Sequence, residues 1–216
     1  MNLPTDKTYI YLHGFASSPQ SAKAKYIKNC FSALNINLKI PDLNRGDFSH
    51  LTLTRQLQQV TAEINASPSP VILIGSSFGG LTSTFLAENN SKVEKLILLA
   101  PAFKFLSHWL PTLGEQQFKK WQSEGTLPIY HYAKNDYLPL NYDFVTDLEK
   151  YNEEKLERSL PTLILHGSRD EVIPIQASRD FAANRPWVKL ISLDSDHSLG
   201  NVMAEIWQFV VSTLVL

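Results

Sequence analysis

Six short apolar runs, separated by longer stretches of helical rhythm, constrain this chain more than any other feature. The runs are Thr8–Leu12, Leu38–Pro41, Val71–Ile74, Lys95–Leu99, Thr162–Leu165 and Val188–Leu193. They are rich in Ile, Leu, Val and Tyr and mostly lack strict alternation, the pattern of strands covered on both faces. Between them, Leu53, Leu57, Val60 and Ile64 share one face of a helix. Ala24, Ile27, Phe31 and Leu34 repeat that rhythm, as do Val202, Ile206, Phe209 and Thr213. Ser18 and Pro19 read as the N-cap and first position of the helix carrying Ala24. Strand–helix alternation of this kind requires right-handed βαβ units. The expected fold class is α/β, a doubly wound, mostly parallel sheet of about six strands.

Residues 101–160 break the rhythm and hold about half of the chain's aromatic rings. Helical pieces are expected near Gly114–Glu124 and Tyr142–Leu156. Structureless loops of that length are uncommon inside compact domains. The segment therefore reads as a helical cap inserted between the fourth and fifth strands of a single domain spanning 1–216.

Composition narrows the partners. Hydrophobic residues make up 44% of the 216 and charged residues 19%, enough apolar material for a sizeable core. Lys plus Arg number 20 and Asp plus Glu 21, a net charge of -1. Neither nucleic acid nor an anionic membrane is drawn to so balanced a surface. Cys30 is the only cysteine, which excludes an internal disulfide and a cysteine-based metal cluster. No charged leader precedes an apolar core at the start, and no stretch approaches the roughly 18 apolar residues of a spanning helix. The expectation is a soluble, cytoplasmic protein with no membrane partner.

Active sites of doubly wound sheets form at the carboxyl ends of the strands. After the third run comes Gly75-Ser76-Ser77-Phe78-Gly79, a G-x-S-x-G pattern leading into a helical stretch. A strand that turns sharply into a helix strains the serine backbone, and small residues two before and two after avoid clashes. Ser77 then projects where backbone N–H groups favour negative charge. A loop with Asp170 follows the fifth run, and one with His197 follows the sixth. Singly, these read as a turn carboxylate and a solvated histidine; in the order Ser, Asp, His they read as a catalytic triad. His197 would be the base that activates Ser77, and Asp170 would orient the imidazole. Glu171, Asp194 and Asp196 are rival carboxylates; Asp196 adjoins His197, so the two side chains should diverge.

A tetrahedral intermediate needs donors for its oxyanion. The backbone N–H groups of Phe78 and Phe15 are the candidates, with Gly14 giving the loop freedom to aim the second. His13 reads as a structural histidine bonded to loop backbone. Trp109, Tyr130 and Tyr142 are the candidate substrate-pocket rings.

The segments HGF after the first run, GSSFGG, HGSRDEVIP and DHSLGN resemble the α/β-hydrolase superfamily. The opening YLHGFASSPQSAKA is similar to the small bacterial esterases of the YqiA type. The superfamily resemblance covers about 8–100 and 161–214, and the first two strands of the full superfamily sheet are missing. It implies Ser77 as nucleophile, Asp170 as acid and His197 as base. It also implies no metal or organic cofactor, and hydrolysis of carboxylic esters or thioesters.

Rival chemistries lack their residues. GSSFGG is not G-x-G-x-x-G, no Lys follows it as in a P-loop, and there is no HExxH. Ser rather than Asp at position 77 argues against a carboxylate nucleophile. The sequence thus predicts a serine hydrolase acting on small-molecule esters of small or medium apolar acyl groups. The alternatives are a thioesterase, for which Lys104, Lys119 and Lys120 are the one hint of a nucleotide patch, and a hydrolase-like binding module with little turnover.

Overall fold

The structure is a computed structural model that describes residues 3–215; the outermost residues of the expected 1–216 domain lie outside them. The chain runs β1 (Thr8–Leu12), α1 (Ala22–Ala33), β2 (Leu38–Lys39), α2 (Leu53–Asn65), β3 (Val71–Ser76), α3 (Phe78–Asn89) and β4 (Val93–Leu99). It continues through α4 (Phe105–Leu113), α5 (Glu115–Glu124), β5 (Thr126–His131), β6 (Asp136–Asn141) and α6 (Asp143–Leu148). It closes with β7 (Thr162–Gly167), α7 (Ile175–Ala183), β8 (Val188–Leu193) and α8 (Met203–Val215).

Six strands form one parallel sheet in the order β2-β1-β3-β4-β7-β8. Successive side chains point to opposite faces, so each strand feeds two cores. Ile10, Leu12, Leu73, Leu98 and Ile164 pack with residues of α2, α3 and α7. Tyr9, Tyr11, Ile74, Leu99 and Leu165 pack with residues of α1 and α8. Each fully buried Leu or Ile contributes about 1.5–3 kcal/mol. α3 is buried nearly all round, and its hydroxyls find partners inside: Thr82 donates to Gln56 at 2.9 Å and Ser83 to the Gly79 carbonyl at 2.7 Å.

The strands differ from the apolar runs at their ends. β3 continues through Gly75 and Ser76, and β7 through His166 and Gly167, because backbone pairing with β4 and β8 persists past the last apolar side chain. β2 pairs only at Leu38 and Lys39, short of Pro41, which has no N–H to offer a ladder. α1 is capped by Ser21, whose Oγ accepts from the Ala24 N–H at 3.3 Å, not by Ser18. Ser18 instead accepts from the Ser21 N–H, one turn earlier. α8 buries Ile206, Val210 and Leu214; Val202 sits in the short 3-10 turn before it.

The segment between β4 and β7 is mixed rather than helical. It contains α4, α5 and α6, and also an antiparallel hairpin of β5 and β6. The hairpin is hidden in the sequence because each strand carries a proline, Pro128 opposite Pro139. α4 contains Pro111, which masks it in the same way. The helix expected over Tyr142–Leu156 divides into α6 and a 3-10 turn at Glu153–Lys155, with Asn152 capping the turn. Asp147 of α6 accepts from the Thr54 N–H at 2.8 Å, placing a carboxylate at the N-terminus of α2. The hairpin is tied to the sheet loops by Tyr132 N–H to the Ala16 carbonyl at 3.0 Å and Asn141 N–H to the Ser49 carbonyl at 2.9 Å.

Candidate active site

Ser77 stands between the end of β3 and the start of α3 with φ 53 and ψ -120. Such a backbone is costly for a residue with a side chain and persists only where the surroundings enforce it. Here they do. The Ser77 N–H donates to the Leu99 carbonyl at 2.9 Å, and the Ser77 carbonyl accepts from Gly80 at 2.8 Å and Ala102 at 3.0 Å. Glycine is required on either side. A Cβ on Gly75 would meet Gly80 Cα at 2.6 Å, and one on Gly79 would meet the His13 carbonyl oxygen at 2.6 Å. The elbow is thus wedged against β1 and the loop that follows it.

Three side chains from three strand ends converge at this elbow. His197 Nε2 lies 2.9 Å from Ser77 Oγ, and His197 Nδ1 lies 2.7 Å from Asp170 Oδ2. With an acceptor at Nδ1, the proton of neutral His197 belongs there, leaving Nε2 free to accept from the Ser77 hydroxyl. Asp170 is buried behind them, its Oδ1 accepting from the N–H groups of Val172 at 2.9 Å and Ile173 at 2.8 Å. Burial pushes this carboxyl up, but hydrogen bonds from His166 and His197, the His197 charge and the Ile173 N–H together hold it below the usual carboxylate range. The rival carboxylates are engaged elsewhere. Asp194 pairs with Arg169 at 3.1 Å, and Asp196 accepts from the Ser198 N–H at 2.9 Å and hydroxyl at 2.6 Å. Glu171 is exposed.

The loop after β1 lies directly on Ser77: a Cβ on Gly14 would be 3.3 Å from Ser77 Cβ. His13 fixes this loop from beneath. It is buried, its Nε2 accepts from the Leu43 N–H at 3.0 Å, and its Nδ1 donates to the Gly14 carbonyl at 3.0 Å. Among the described residues, neither the Phe15 nor the Phe78 N–H donates to a protein acceptor. For Phe78 the reason is its place in the first turn of α3, where N–H groups have no partner within the helix.

Above the elbow stands a group of aromatic rings. Phe15 has Trp109 and Phe144 at 5.1 Å, Phe105 at 5.5 Å and Phe48 at 5.7 Å between ring centroids. Of the candidate pocket rings, Trp109 joins this group. Tyr142 lies behind it, edge-on to Trp121 at 5.6 Å. Tyr130 is on the outer face of the hairpin, opposite to buried Leu127, Ile129 and His131, and packs against Tyr132 and Tyr137. Strand alternation separates Tyr130 from the site, and a strand there was not legible in the sequence. Lys104, Lys119 and Lys120 are each paired with a carboxylate, Asp180, Glu115 and Glu124 respectively.

Sequence reasoning passed over two groups close to Asp170 and His197. His166, within β7, places Nε2 3.1 Å from Asp170 Oδ2. Lys23 of α1 directs Nζ to the His197 carbonyl at 3.4 Å, and burial lowers its ammonium to about 8 against the raising effects of Asp170 and Asp196. Spacing to a strand end finds Asp170 and His197 but not groups that reach them from inside a strand or from a helix. Among the described residues, no three His, Cys, Asp or Glu side chains are grouped to hold a metal ion. Among the same residues, no helix is long and apolar enough to cross a membrane.

Comparison with known proteins places this geometry in a family. The profile of the uncharacterised protein family UPF0227 matches residues 8–212. The chain is similar to the mouse mitochondrial palmitoyl-protein thioesterase ABHD10, 26% identical over 185 residues. That match covers 80% of the chain but spans only 62% of the relative's length. The solved structure of mouse alpha/beta hydrolase domain-containing protein 10 superposes with a TM-score of 0.81 at 23% identity, over 100% of this chain and 91% of that one. Est1E from Butyrivibrio proteoclasticus superposes with a TM-score of 0.77 at 20% identity, over 100% and 93%. At these identities the superpositions speak for the fold. A family profile that spans nearly the whole sequence, on a six-stranded parallel sheet shared with those hydrolases, makes this chain a member of family UPF0227 built on the α/β-hydrolase fold.

Proposed function

We propose that the chain is a serine hydrolase that cleaves carboxylic esters of apolar acyl groups through a covalent acyl-enzyme. The observation that carries this reading is the unbroken line of hydrogen bonds from Asp170 through His197 to Ser77, ending on a strained elbow. Ser77 Oγ attacks the acyl carbon while His197 Nε2 takes its proton, and Asp170 stabilises the imidazolium that results. The carbonyl oxygen gathers negative charge, which the free N–H groups of Phe15 and Phe78 stabilise. His197 then returns the proton to the departing alcohol. Water enters, loses a proton to His197 and attacks the acyl-enzyme, which releases the acid and restores Ser77.

Residues 101–160 act in this reading as a cap over the strand ends within one domain. Trp109 and Phe105, standing against Phe15, form an apolar wall for the acyl group. Tyr130 has no part in it.

A thioester substrate is the second reading, favoured by the relative named as a palmitoyl-protein thioesterase. The same attack serves, with a thiol leaving in place of an alcohol. The cap lysines do not argue for a coenzyme A nucleotide, since each already has a carboxylate partner. A panel of p-nitrophenyl esters and acyl thioesters of graded chain length tests both readings. Turnover that depends on Ser77 and favours one leaving group decides between them; no turnover of either class at any length contradicts both.

A further inference from the structure

Asp170 Oδ2 is shared by two imidazoles. His197 Nδ1 lies 2.7 Å from it and His166 Nε2 3.1 Å. The second ring is completely buried and bonded on both sides. Its Nε2 faces the Ile173 carbonyl at 2.9 Å as well as Asp170, and both are acceptors, so Nε2 carries a proton. Its Nδ1 faces Ser178 Oγ of α7 at 2.8 Å. Among the described residues that is the only partner of the Ser178 hydroxyl, which therefore donates to Nδ1 and fixes the tautomer.

We infer that His166 is a positioning residue for the triad: it takes up part of the Asp170 charge that His197 would otherwise have to itself. The inference rests on the serine-hydrolase reading above. With His166 in place, Asp170 accepts hydrogen bonds at Oδ1 from Val172 and Ile173 and at Oδ2 from His197, while the His166 N–H, shared with the Ile173 carbonyl, stands 3.1 Å from Oδ2. A carboxylate so occupied stays anionic and holds one geometry, yet pulls less on the proton of His197. The other groups around Asp170 are Lys23 of α1, His108 of α4 and Asp196 beside His197. All are placed independently of His166.

Loss of the His166 donor leaves Oδ2 to His197 alone. The imidazolium is then favoured more, and the base gives up its proton at higher pH. A ring that only supported the fold would act otherwise, lowering activity equally at every pH. The experiment is the pH profile of kcat/KM on an activated ester for wild type, His166→Phe, His166→Gln and Ser178→Ala. The acid limb is expected to move up by about half a pH unit or more in His166→Phe. It should move less in Ser178→Ala and return toward wild type in His166→Gln, whose amide can donate. Imidazole 15N shifts of the wild-type protein, expected to show His166 protonated at Nε2 and not at Nδ1, serve if the phenylalanine variant does not fold. An unmoved limb in both His166→Phe and Ser178→Ala, a loss uniform with pH, or a proton on Nδ1 overturns the inference and leaves the hydrolase reading standing. A wild-type profile with no acid limb overturns the inference together with that reading.

Discussion

His197 Nε2 sits 2.9 Å from Ser77 Oγ, although 120 residues separate them in sequence and two strands, β4 and β7, lie between their own strands in the sheet. The twisted sheet brings its strand ends to one rim. The contact is therefore a product of the whole fold, and each part that holds it can be perturbed separately.

In the proposed mechanism the carboxylate that orients His197 is Asp170. Asp170→Asn is expected to lower kcat by about a thousandfold or more, because an amide favours the wrong tautomer of His197. Asp194→Asn and Asp196→Asn, whose side chains are engaged with Arg169 and Ser198, should cost far less. A larger loss at either of those positions would contradict the assignment.

Gly79 is where the elbow is wedged against β1. An added Cβ would run into the backbone oxygens of Leu12 and His13, which cannot swing aside as a side chain would. Gly79→Ala should destabilise the protein by at least about 1–3 kcal/mol, read as a fall in the urea midpoint. An unchanged midpoint would mean that the loop after β1 can yield.

Ring by ring, the cap should divide. Trp109→Ala is expected to change the preferred acyl length and to lower kcat/KM for the best ester by about tenfold. Tyr130→Ala, on the outer face of the hairpin, should leave that profile as it is. Equal responses from the two variants would place the acyl wall elsewhere.

Glu153 gives stability a pH dependence of its own. Burial pushes its carboxyl up to about 7, against the Lys104 N–H and the charges of Lys104 and Arg185. Between 4.5 and about 7 the folded protein holds a proton that the unfolded chain has released, so this group's contribution falls as pH rises through that window. Glu153→Gln should flatten that fall and raise Tm by a few degrees at pH values above the window, with little change below it. The wild-type slope in the variant would show that Glu153 is not its source.

Much of this was legible in the sequence, for a definite reason. Buried parallel strands must be apolar, so β1, β3, β4, β7 and β8 announce themselves, and the residues just past them mark the rim where Ser77, Asp170 and His197 meet. The hairpin was not legible, because Pro128 and Pro139 argue against strands in any local reading. Nor was α4, where Pro111 does the same against a helix. His166 was hidden by its position inside β7, where a polar side chain looks like the end of an apolar run. Its complete burial and its approach to Asp170 show that it turns inward.

If Ser77 is the nucleophile, covalent labelling will find it there. The protein would be treated with a fluorophosphonate, which phosphonylates only a serine activated by its base, and the modified peptide mapped by mass spectrometry. One adduct per chain on Ser77 is predicted, absent from Ser77→Ala and slowed in Asp170→Asn, with Ser76→Ala labelled much as wild type. No adduct, or an adduct on another serine while Ser77 stays free, would contradict the account.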